Sequence, residues 1–102
     1  MTKQQKKDLT EVIKLILSQL ASKDKGERFI LNNSRRISYT INQYYDRHGG
    51  KLKGSYYIDY TDTIKYFISS NSEILENFGI GPKSGGLGGF RYNNKPVYFS
   101  ED

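Results

Sequence analysis

Arg35 and Arg36 stand directly after Ser34, a residue type that favours the N-cap of a helix. The free N–H groups of a helix start, joined by two guanidinium groups, suit a phosphate. Asn42, Gln43, Arg47, Lys51 and Lys53 follow, with Tyr39, Tyr44 and Tyr45 interleaved. Asn, Gln and Arg are the side chains that read base edges. Cations with accessible aromatic rings hold a phosphate backbone and stack bases. The segment 35–53 is therefore the first candidate site, and nucleic-acid binding is its chemistry. The competing reading is an ordinary amphipathic helix with core tyrosines under a solvated polar face.

Two other places carry weaker signals. Arg91 and Lys95 flank Asn93-Asn94 near the C-terminus, where a hairpin tip could touch phosphate. The competing reading has them blunting an exposed sheet edge. Lys83 and Ser84 sit in GIGPKSGGLGG, which has six glycines in eleven positions. That stretch does not match the phosphate-loop pattern, because Pro82 rather than glycine precedes Lys83. It fails the dinucleotide pattern too, since Ser84 stands where a third glycine is required. Residues 79–89 read as a flexible loop, and Lys83 and Ser84 as partner-binding positions on it.

Catalysis is the poorer reading. The chain has one histidine and no cysteine. That excludes disulfides, thiolate ligands, a thiol nucleophile and a multi-histidine metal site. His48 falls in the last turn of a helix, and Asp46 is too near in sequence to orient it. Asp59, Asp62, Glu73 and Glu76 are scattered as surface and helix-start charges usually are, so no metal and no cofactor is expected. A small metal-independent ribonuclease is the one enzymatic alternative, with His48, Arg47 and Arg36 as its first residues to test.

Charge supports the binding reading. Lys and Arg number 16 against 11 Asp and Glu, for a net +5. Residues 1–53 hold twelve basic and five acidic side chains; residues 54–102 hold four and six. A basic half implies a polyanion, most often nucleic acid, although +5 is ordinary for a soluble domain.

One domain must position all of these groups, because 102 residues leave room for no second core. Leu9, Val12, Ile13, Ile16, Leu17 and Leu20 recur as one helical stripe. Thr2 and Gln5 suggest a capping box, and Gly26 a stop. Lys3, Lys6 and Lys7 oppose the helix dipole at that end, so they do not serve the helix itself. Glu27–Leu31 reads as a short strand. Ile37, Ile41, Tyr44, Tyr45 and His48 mark a second helix that starts from Ser34 and ends at Gly49-Gly50. Tyr56–Tyr60 favours extended structure. Thr61 or Asp62 can cap a third helix on Ile64, Phe67, Ile68, Leu75 and Phe78, broken or bent at the Ser-rich stretch 69–72. Two aromatic runs around Asn93-Asn94 read as a terminal hairpin, with Pro96 placing its second strand at an edge.

The expected fold is α+β: about three helices, a short strand and a C-terminal hairpin. The order of elements resembles a winged helix, in which a short first strand pairs with the hairpin.

The leading functional expectation is a small cytoplasmic nucleic-acid-binding protein, with DNA favoured over RNA, of the kind that regulates a phage or mobile element. No secretory signal and no membrane span are expected. The alternative is an interaction module or inhibitor that blocks a host enzyme. Nine tyrosines exceed what so small a core can bury, and tyrosine favours interfaces. A homodimer is compatible with both.

Overall fold

Thr2 fixes the start of the first helix: its Oγ1 accepts the Gln5 N–H at 3.1 Å. The computed structural model describes residues 1–49, 59–83 and 88–101. Helix α1 spans Lys3–Ser18 and buries Leu9, Val12, Ile13 and Ile16 along the expected stripe. It stops earlier than Gly26. Leu20–Lys23 is instead a strand, β1, paired antiparallel with β2, Arg28–Leu31. The turn between them holds Asp24 (φ 49°), Lys25 (φ 60°) and Gly26 (φ 89°) in the left-handed region. Leu20 satisfies the helical stripe and the strand pairing alike, so periodicity alone does not separate the two.

Helix α2 spans Ser34–His48. Asn33, left-handed at φ 56°, occupies the N-cap position expected of Ser34. Ser34 is the first helical residue, and its buried hydroxyl donates to the Leu31 carbonyl at 2.7 Å. Ser100 donates to the same carbonyl from its own hydroxyl at 2.7 Å. The start of α2, the end of β2 and the C-terminal chain are thereby tied at one point.

Helix α3, Tyr60–Ser70, is capped by Asp59 rather than by Thr61 or Asp62. Asp59 Oδ1 accepts the Asp62 N–H at 2.9 Å. Asp59→Ala is expected to cost about 1 kcal/mol of stability, read as a lowered denaturation midpoint with an unchanged slope. The polar interruption does break the helix: Asn71 ends α3, and α4 spans Ser72–Leu75. Gly79, at φ 80°, closes the turn that follows.

Strands β3 (Ile80–Pro82), β4 (Phe90–Tyr92) and β5 (Lys95–Phe99) complete the fold. Strand β3 takes up the first part of the stretch read as a glycine-rich loop. Asn93 and Asn94, at φ 50° and 65°, make the tight hairpin turn expected of them.

The sheet is mixed, in the order β1-β2-β5-β4-β3, with β2 and β5 parallel and the other pairs antiparallel. The short strand between the first two helices does pair with the hairpin, at β5. Two further strands extend the sheet, one at each side, so β5 is central and Pro96 is not at an edge. Pro96 is tolerated because pairing with β2 begins one residue later, at Val97 opposite Phe29. The domain is α+β, with four helices and five strands among the described residues.

Registers place Leu31, Val97, Phe90 and Ile80 on one face of the sheet. These four are buried with Leu9, Ile13, Ile16, Ile37, Ile41, Ile64, Phe67 and Ile68 of the helices. Burial of that apolar layer is the main driving force for the fold, and it fixes which helix faces remain outside.

Candidate nucleic-acid interface

The two basic helices run antiparallel, held at both ends. At one end His48 Nε2 lies 2.7 Å from Asp8 Oδ2, and Arg47 Nη1 lies 3.7 Å from the same oxygen. At the other end Asn33 Nδ2 donates to Gln19 Oε1 at 2.7 Å. A shallow groove of about 170 Å³ runs between them, lined by Asp8, Glu11, Val12, Thr40, Gln43, Tyr44 and Arg47.

This pairing aligns two rows of cations. On α1, Lys3, Lys7 and Lys14 are exposed, at spacings that put them on one ridge. On α2, Arg36, Gln43 and Arg47 do the same. Because the helices are antiparallel, Lys7 stands toward the Arg47 end and Lys14 toward the Arg36 end. Asp8 and Glu11 lie in the groove between the ridges.

The residues singled out by sequence are only partly gathered there. Arg36, Asn42, Gln43 and Arg47 are exposed on α2. Arg35 turns away: its Nε donates to the Glu101 carbonyl at 3.0 Å, and its guanidinium lies 4.5 Å from the centre of the Tyr60 ring. Arg91 is on the sheet, with Nη2 3.0 Å from Glu76 Oε1. Lys95 follows the hairpin turn on β5, and Lys83 follows β3. Lys51, Lys53 and Ser84 lie outside the described residues. The nine cationic and amide positions expected to contact nucleic acid are thus divided between α2, the sheet and undescribed chain.

The interleaved tyrosines also separate. Tyr44 is buried, edge-on to Phe67 at 6.1 Å between ring centres. Tyr45 packs against Phe67 and Tyr66, and burial pushes its hydroxyl above the usual tyrosine range. Tyr39 is 65% exposed.

Sequence reasoning missed the group that orients His48. Asp8 is the residue just before Leu9 on the α1 stripe, so it borders the packed face. That position was the available signal, but its partner lies forty residues on. The hydrogen bond from His48 holds the Asp8 carboxyl below the usual range, aided by Gln4 and by the charges of His48 and Arg47, against a smaller opposing effect of desolvation. A carboxyl with a depressed folded value stabilises above its unfolded value, near 3.9. It loses that contribution as pH falls through the folded value. Asp59, lowered by Thr61 and by the Asp62 N–H, acts in the same window. Urea midpoints are therefore expected to fall below about pH 4, and less steeply in Asp8→Asn. An identical acid limb in that variant would show that the Asp8 contact carries no linkage.

Among the described residues no three His, Cys, Asp or Glu side chains gather as a metal site. None of the described helices is long and apolar enough to cross a membrane. Comparison with protein-family models, curated proteins and solved structures gives no match.

Proposed function

We propose that this protein binds nucleic acid through the joint face of α1 and α2, mainly by phosphate contacts. The observation that carries the reading is the antiparallel alignment of the Lys3–Lys7–Lys14 ridge with the Arg36–Arg47 ridge. Lys3, Lys7, Lys14, Arg36 and Arg47 stand against three carboxylates: Asp8 and Glu11 in the groove and Asp46, exposed on α2. Lysine and arginine neutralise phosphates and release condensed counterions, which gives affinity without sequence preference. Gln43 and Asn42, on the same helix, are the groups available for limited base contact. Asp8 tempers the charge but also sets the helix pair in register, so the acidic group belongs to the scaffold of the surface.

The test is a fluorescence-anisotropy titration with single-stranded and duplex oligonucleotides at several salt concentrations. With about four phosphates neutralised, log K should fall against log salt with a slope of roughly −3 to −4. No binding at ~50 mM salt, or binding independent of salt, overturns the proposal.

A second reading, a module that docks on another protein, draws support from Tyr66 and Phe78. They are 39% and 38% exposed, on α3 and just after α4. A stoichiometric protein partner that survives nuclease treatment in a pull-down would favour it.

A further inference from the structure

Tyr39 is the one tyrosine of α2 that the core does not claim. Among the described residues its ring makes no aromatic contact and its hydroxyl no hydrogen bond. The ring is left 65% exposed at mid-helix. Its helical neighbours are the residues three and four positions away: Arg35, Arg36, Asn42 and Gln43. Arg35 is committed to Glu101 and Tyr60, so one cation, Arg36, stands on its N-terminal side and two amides on its C-terminal side.

We propose that Tyr39 stacks on an unpaired base, so that the α1–α2 face takes single-stranded in preference to duplex nucleic acid. This deepens the phosphate-contact reading above and rests on it. In a duplex the faces of the bases are covered by their neighbours, and a ring projecting from a helix meets only base edges and backbone. In a single strand the π-face is open, and a tyrosine beside an arginine supplies the stacking platform that such strands use. Arg36 lies one turn before the ring and holds the adjoining phosphate. Asn42 and Gln43 lie one turn after it and reach the edge of the stacked base. The charge of the surface selects an anionic polymer, and the ring selects among anionic polymers.

The experiment compares three probes of similar length: a single-stranded oligothymidylate, a DNA duplex and inorganic polyphosphate. The proteins are the wild type, Tyr39→Ala, Tyr39→Phe and the double variant Lys7→Ala/Arg47→Ala. The expected loss in Tyr39→Ala is on the order of tenfold to a hundredfold on oligothymidylate, with less than about twofold on polyphosphate, which offers no base. Tyr39→Phe keeps the ring and should keep the affinity. The double variant should weaken all three probes and lower the salt slope. Circular dichroism of each variant checks that the fold is intact. If the wild type binds oligothymidylate and Tyr39→Ala binds it equally well, the stacking proposal is overturned while phosphate contact stands. An equal loss on all three probes also overturns it. If the wild type binds no probe, both readings fall together.

Discussion

Phe67→Ala is expected to lower the stability of the fold by about 3–5 kcal/mol. Phe67 is fully buried, at 0% exposure, in the middle of α3. Its ring meets Tyr44 at 6.1 Å and Tyr45 at 6.3 Å between centres, so it is a central contact between α3 and α2. Truncation loses the transfer energy of the ring and leaves a cavity that rigid helices fill only in part. Domains of this size have only about 5–15 kcal/mol in total, so the loss takes a large share of it. Urea denaturation followed by circular dichroism reads the effect. A loss below about 1 kcal/mol would mean that the ring is not packed as described.

The second large effect concerns binding. Lys7, Lys14, Arg36 and Arg47 are all exposed, so replacing them together by alanine should leave the fold standing. Each replaced cation that meets a phosphate removes roughly 0.9 from the magnitude of the salt slope on duplex. Four of them remove about 3 to 4, equivalent to a loss on the order of a thousandfold near 0.1 M salt. Lys83→Ala/Lys95→Ala is the control, because those cations stand on the sheet side, at the ends of β3 and the hairpin turn. The control should change the slope by less than about one. Equal effects of the two sets would place binding in general charge and not on the helix pair.

Much of the fold is legible in the sequence because it is local. The α1 stripe, the Thr2 cap, the Gly49 and Gly79 stops and the Asn93-Asn94 turn each depend on residues a few positions apart. Strand β1 is not legible: LASK carries no alternation, and only its pairing with β2 makes it extended. Strand β3 is equally hidden, since Ile80-Gly81-Pro82 has the composition of a loop and is held by β4 across the sheet. The position of Pro96 misleads for the same reason: where a strand lies in a sheet depends on its neighbours in space.

The candidate site follows this division. That Arg36, Gln43 and Arg47 share a helix ridge is readable from spacing. That Arg35 leaves them for Tyr60 and Glu101 is not, because both partners lie far along the chain. Lys3 and Lys7 look like a poorly designed helix start until the antiparallel packing of α1 on α2 puts them at the same end of the helix pair as Arg47. The Asp8–His48 contact that fixes this packing joins positions no local rule connects.

The central claim is that the polyanion seats on the α1–α2 face. The most direct measurement is an amide chemical-shift titration of the labelled protein with a short oligonucleotide in low salt. The account predicts saturable shifts concentrated in residues 3–14 of α1 and 35–47 of α2, with the β4–β5 hairpin left unmoved. Shifts centred on residues 90–99, or no shifts at saturating oligonucleotide, would contradict it.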